Sequence, residues 1–243
     1  MKKKILVISA VVALLAILAV SGSLAWFSDT DEVTNVFTVG SVKIEQNEVG
    51  ADGNPFVQEQ VLMPVVKADD PTDENYIAKI VDVTSTGENP AYVRTHIAIP
   101  TKLVGTLILD LSDSAKWVPA TNYESTTTVD GEEYTVYSFT YTEALTKGVT
   151  TDDLLLGVYI DPKTDLKDNP ATTEADMEFC YYDANAKDYV FTGYVAWKAD
   201  GTASEKVNVL VATQGVQSQG FTDAQTALDT AFTAIPDFSL VNP

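Results

Sequence analysis

An all-β sandwich of jelly-roll-like form, with one amphipathic helix near the C-terminus, is the fold class this sequence predicts. Three observations point there. Short runs rich in Val, Thr, Tyr and Ile recur along the chain, several of them alternating in polarity. Asp-Gly pairs, which supply the positive-φ chemistry of tight hairpins, stand between some of those runs. Only one stretch shows a clear apolar period of three to four residues. Many strands with few helices bury their apolar faces most readily by packing sheet on sheet.

The chain begins Met1-Lys2-Lys3-Lys4, runs apolar from Ile5 to Val20 with only Ser9 intervening, and reaches Ser23-Leu24-Ala25. A basic start, an apolar stretch and a small-x-small end is the layout of a secretory signal peptide. Cleavage is expected between Ala25 and Trp26, so residues 1–25 are read as the signal peptide. An uncut anchor is the competing reading, since Ile5 to Trp26 approaches the roughly 20 residues a spanning helix needs. Both readings export the bulk of the chain to the cell surface or beyond.

The strands are expected at 33–45, 57–66, 76–85, 91–99, 103–111, 133–142, 154–160, 177–183, 188–198 and 206–213. Turns are expected at Asp52-Gly53, Asp130-Gly131 and Asp200-Gly201. In 91–99 the alternation places Val93, Ile97 and Ile99 inward and Arg94 and His96 outward. Pro and Asp mark 68–74 and 161–171 as exposed loops. A short helix over Thr142–Gly148 is a weaker expectation. The main helix opens at Thr222-Asp223-Ala224-Gln225, read as a capping box with Thr222 at the cap. Ala224, Ala227, Leu228, Ala231, Phe232 and Ile235 then share one face, and Pro236 stops it. Residues 41–243 are read as one sandwich domain, preceded by a segment at 26–40.

The chain has 15 Lys and Arg against 35 Asp and Glu. Losing Lys2, Lys3 and Lys4 leaves 12 against 35, a net charge of −23. That balance argues against nucleic acid as a partner, because phosphate recognition needs basic patches. A single cysteine, Cys180, excludes an intrachain disulfide and is expected as a small core residue.

Catalytic chemistry has little to draw on. His96 is the only histidine, so a two-histidine zinc motif is absent, and no nucleophile elbow lies near it. No cofactor is expected, with one exception. Asp69, Asp70, Asp73 and Glu74 crowd one loop and Asp165, Asp168, Glu174 and Asp176 another, and hard oxygen ligands of this kind suit Ca²⁺. Trp117 and Trp197 fall in or beside strand-like runs, where core packing is favoured over a carbohydrate-stacking role.

Three passages carry a resemblance. Ala25-Trp26-Phe27-Ser28-Asp29 is followed by Asn35-Val36-Phe37-Thr38-Val39-Gly40-Ser41-Val42; Lys79 to Arg94 reads as strand, Thr-Gly turn and Ala-Tyr-Val-Arg strand; Val209 to Phe221 reads as a closing strand and helix entry. Together they resemble the TasA/camelysin family of secreted biofilm-matrix proteins, best at the ends and in the first half and least over 100–200. The resemblance implies a jelly-roll subunit of Gram-positive bacteria, processed by a SipW-type signal peptidase. It implies polymerisation into extracellular filaments, in which the N-terminal segment of one copy joins the sheet of the next. A minor accessory subunit is a further implied partner. Trp26, Phe27, Val33, Val36, Phe37 and Val39 are the residues expected to act as donor strand, by strand addition at a sheet edge. The alternative is that 33–45 is simply the first strand of its own domain. The resemblance also raises a metalloprotease of the camelysin kind, although His-Glu-x-x-His is missing. A surface adhesin or carbohydrate-binding module is the third reading. No sortase-type Leu-Pro-x-Thr-Gly signal is present to support wall anchoring.

Overall fold

The computed structural model describes residues 42–56, 62–172, 175–198 and 207–240, and the backbone of 28–31. Twelve strands, all paired antiparallel, make up most of this. In chain order they are β1 (Ser28–Asp31), β2 (Ile44–Val49), β3 (Ile77–Ser85), β4 (Ala91–Pro100), β5 (Leu107–Leu111), β6 (Trp117–Val129), β7 (Glu132–Tyr141), β8 (Leu155–Ile160), β9 (Thr164–Asp168), β10 (Met177–Asp183), β11 (Asp188–Trp197) and β12 (Leu210–Gln217). One α-helix, α1 (Ala224–Ala231), follows. The fold is all-β and sandwich-like, as the composition and strand spacing led us to expect.

Sheet order explains where the core lies. One sheet runs β1-β12-β4-β7-β6, a second β2-β3-β8-β5, and a smaller third β11-β10-β9. Alternate residues of β4 (Val93, Ile97, Ile99) and of β3 (Val81, Val83) meet Ile44, Trp117, Tyr141, Leu155, Val158 and Ile160 in a single apolar core. Phe179 and Tyr194 of the third sheet join the same core and stack with centroids 5.9 Å apart. Val211 and Thr213 of β12 receive Gln46 of β2 from the facing sheet, Gln46 Nε2 donating to Val211 O at 3.2 Å and Thr213 Oγ1 to Gln46 Oε1 at 2.8 Å. Gly215 lets Ile44 come close: a Cβ there would sit 3.0 Å from the Ile44 side chain.

Several expectations need correction. Arg94 and His96 do not face out; both are buried, because α1 and the segment after it cover the second face of β4, β7 and β12. That cover forms two smaller apolar clusters, Ala98, Tyr134, Val136, Leu210, Ala212 and Phe238 in one, Val216, Ala224, Ala227 and Leu228 in the other. Thr222 is not the helix cap. Asp223 is, with its carboxylate accepting from Thr226 N at 2.8 Å, while the Thr222 hydroxyl bonds that same carboxylate. Thr142–Gly148 is not helical: Leu145 bridges Ala91 and Gly148 N donates to Ser85 O.

Residues 161–171 are not all loop, since they contain β9. Within 57–66 the described residues hold only a bridge from Pro64 to Ile160, and 103–111 begins in a 3-10 turn before β5. Of 33–45 the described residues are 42–45, and of these Ile44 and Glu45 are strand, in β2. Trp117 is buried as expected but Trp197 is 37 % exposed. The Asp130-Gly131 turn is as expected, both residues having positive φ between β6 and β7. Asp200-Gly201, Glu174 and the signal-peptide junction at Ala25 and Trp26 lie outside the described residues.

Candidate functional site

The outer edge of β12 is where the sequence, the topology and the N-terminal segment meet. β12 reads Leu210-Val211-Ala212-Thr213-Gln214-Gly215-Val216-Gln217, eight residues with no charge and no proline. An edge of that composition is open to pairing with another strand, and natural sheets rarely leave one bare. Here β1 lies along it in register Ser28↔Val216, Asp29↔Gly215, Thr30↔Gln214 and Asp31↔Thr213. The segment expected to act as donor therefore pairs, over these four residues, with the last strand of its own sheet. Phe27, Val33, Val36, Phe37 and Val39 lie outside the described residues, as does Trp26.

Behind that edge, β12 is held on both faces. Inward, the hydroxyls of Thr95 and Thr213 share a hydrogen bond at 3.0 Å. Outward, a polar layer lies under α1. Arg94 donates through Nε to Thr140 Oγ1 at 3.0 Å and through Nη2 to Gln225 Oε1 at 2.9 Å and Asp229 Oδ1 at 2.6 Å. Thr121 donates to the other oxygen of Asp229, and Gln225 Nε2 to Pro119 O at 2.8 Å. Partial burial would raise the Asp229 carboxyl, but its bonds to Thr121 and Arg94 outweigh that and hold it below the usual carboxylate range.

His96 sits in the same layer, 2 % exposed, with Nδ1 2.8 Å from Ser138 Oγ and Nε2 3.0 Å from Gln214 Oε1. Gln214 in turn donates to Ala234 O at 3.3 Å. Burial pushes the imidazole pKa down to about 4, with the Arg94 charge adding to the shift and the Gln214 bond opposing it. Both ring nitrogens are engaged within the fold, which gives His96 a structural task. Sequence reasoning missed this layer because it treated β4 as one-sided. The signal that could have revealed it is the apolar face of α1, which needs a sheet face to cover.

The acidic loop at 68–74 does not gather its carboxylates. Asp69 accepts from the Tyr159 hydroxyl at 2.6 Å, Asp70 from Thr72 N and Oγ1, and Asp73 from Val66 N and Asn75 N. The Asp70 bonds to Thr72 and the Asp73 bond to Asn75 are the local bonds of turn-forming Asp residues, while Asp69 is held by Tyr159 of β8. Among the described residues, no group of three or more His, Cys, Asp and Glu side chains is arranged to hold a metal ion. Asp165 and Asp168 lie on β9, Asp165 paired with Lys167 at 3.1 Å. Cys180 is buried on β10, its thiol pKa raised by burial.

Comparison of the chain with protein-family models, with curated proteins and with solved structures returns no match.

Proposed function

We propose that this protein is a secreted structural subunit that polymerises into extracellular biofilm-matrix filaments by exchanging its N-terminal strand between copies. One observation carries the reading: a short N-terminal strand covers the uncharged edge of β12. The pairing that β1 makes within one chain is also available to the same segment of a second chain. When segments pass from copy to copy in one direction, the contact is head-to-tail and need not close, which yields a filament. Signal-peptide cleavage would act as the trigger, since an uncut segment stays tied to the membrane. The resemblance to the TasA/camelysin family at 25–42 supports the same assignment, with a SipW-type peptidase as the processing partner.

The test is electron microscopy of processed protein beside a form lacking residues 26–35. The full form is expected to give filaments. The truncated form is expected to stay monomeric, with its sandwich intact by far-UV circular dichroism. Filaments that persist after the truncation would refute strand exchange.

A further inference from the structure

Away from the β12 edge, the third sheet buries a carboxylate without a full set of partners. Glu178 of β10 is 4 % exposed. One of its oxygens, Oε1, accepts from Asn169 Nδ2 at 3.1 Å; the other, Oε2, is buried and receives no hydrogen bond. A buried carboxylate oxygen left unpaired is costly, and native folds keep few of them. The ladder places Lys167 of β9 directly opposite Glu178. Its amine is drawn elsewhere, pairing with Asp165 Oδ2 at 3.1 Å and lying 4.4 Å from the centroid of the Tyr189 ring. Asn169 is fixed by its own turn, Oδ1 accepting from Ala171 N at 3.0 Å and the backbone oxygen from Thr172 Oγ1 at 2.9 Å. It holds Oε1 in place and leaves Oε2 to another partner.

We propose that Asp176 and Glu178 form a calcium-binding site, with Glu178 Oε2 as its buried ligand and Asn169 as a positioning residue. Asp176-Met177-Glu178 leads into β10, and residues two apart on an extended chain share one side. Asp176 is half-buried and Glu178 buried, which gives the ion one ligand at the mouth and one inside. Neighbouring carboxylates on one side repel unless a cation stands between them. An oxygen this enclosed admits a small ion and excludes a side chain from a second molecule. Cys180, next on the same side, gives its thiol to Asp165 O at 3.6 Å, which leaves oxygens as the donors. Such a donor set favours Ca²⁺, which takes roughly six to eight oxygens in flexible geometry and completes its shell with water, whereas Mg²⁺ demands a near-ideal octahedron.

With two carboxylates the expected affinity is that of extracellular calcium modules, a Kd of about 10⁻⁴–10⁻³ M. The loop at 68–74 serves as an internal control. Its Asp70 and Asp73 carboxylates accept from Thr72, Val66 and Asn75, and no calcium is expected there.

The experiment is a calorimetric titration of chelator-treated full-length protein with calcium chloride, paired with thermal melts. Wild type is expected to bind one ion and to melt at a higher temperature with calcium than without. Glu178→Gln keeps the side-chain shape and removes the unpaired carboxylate oxygen. It is expected to melt no lower than wild type in chelator and to lose the calcium response. Asp70→Asn is expected to keep that response in full. Absence of both heat and a melting shift in wild type at millimolar calcium would overturn the proposal. So would a response that persists in Glu178→Gln, which would assign the binding to the acidic surface at large. Should Glu178→Gln not fold, Asp176→Asn takes its place: a weakened response supports the site, and an unchanged one overturns it.

Discussion

The five-stranded sheet has two ends, and they are built in opposite ways. At one end β6 carries Pro119 and Glu124 and breaks its own ladder: four residues, Ala120 to Tyr123, stand opposite the single Ser138 of β7. A bulge of this kind twists an edge away from flat pairing, and a proline removes a donor from it. The bulge is anchored, with the Tyr123 ring edge-on to Phe139 at 5.3 Å and Thr121 bonded to Asp229. At the other end β12 has no charge, proline or break in its register with β4, and β1 covers it. One end is protected by its own sequence; the other depends on a segment from a distant part of the chain. An edge that needs a separate cover is one where a cover can be exchanged.

The largest effect expected from this contrast is on assembly. Thr30→Pro removes a backbone donor from β1 opposite Gln214 and should abolish filament growth while leaving the melting temperature of the monomer nearly unchanged. Thr126→Pro places the same lesion in β6 and should leave filaments intact. Thioflavin-independent readouts such as sedimentation and microscopy separate the two. If Thr126→Pro stops growth and Thr30→Pro does not, the two edges have been assigned the wrong way round.

The next effect tests what holds β12 from behind. His96 has a folded-state pKa of about 4 against an ordinary value of 6.5, so the unfolded chain binds its proton first as pH falls. Stability from this residue is complete above pH 6.5, declines as pH falls from 6.5 to 4, and is then flat. The shift corresponds to a loss of about 3 kcal/mol across that window. Urea melts at pH 7 and pH 4 on wild type and His96→Gln measure it, the variant losing this part of the pH dependence. The ring faces Arg94, Ser138 and Gln214.

Arg94→Leu should cost roughly 2–3 kcal/mol. It leaves Thr140, Gln225 and Asp229 without their shared donor, although Asp229 keeps partial access to water. Because Arg94 ties α1 to the sheet, hydrogen exchange should rise in α1 and β12 more than at the far end of the β6–β7 hairpin. Equal loosening at both ends of the sheet would show that they are not independently supported.

Much of this was legible in the sequence and part of it was not, for identifiable reasons. The inner face of β4 followed from the alternation of Val93, Ile97 and Ile99. The outer face did not, because Arg94 and His96 are polar and their burial depends on α1 and Gln214, more than a hundred residues away. β6 escaped notice since Pro119, Asn122, Glu124 and a run of Thr look like loop, which is the composition a protected edge is given. β9 escaped for a similar reason: Asp165, Lys167 and Asp168 suit an edge strand as well as a turn. The helix was visible through its period, while its cap was assigned one residue early. At β12, the absence of charge over 210–217 could be read directly, but nothing local pointed to Ser28–Asp31 as its neighbour.

The smallest effect concerns that cap. Asp223 accepts from Thr226 N and from the hydroxyls of Thr222 and Thr226, and these bonds lower its carboxyl pKa. Asp223→Ala removes the N-terminal cap of α1 and should lower stability by about 1 kcal/mol. Because α1 covers the outer face of β12 through Ala224, Ala227 and Leu228 packed on Val216, fraying should reach β12 before it reaches the β6 bulge. A Thr222→Ala variant, which removes only a bond to the capping carboxylate, should cost less than Asp223→Ala. Denaturant melts of the two place them in order, and the reverse order would return the cap to Thr222.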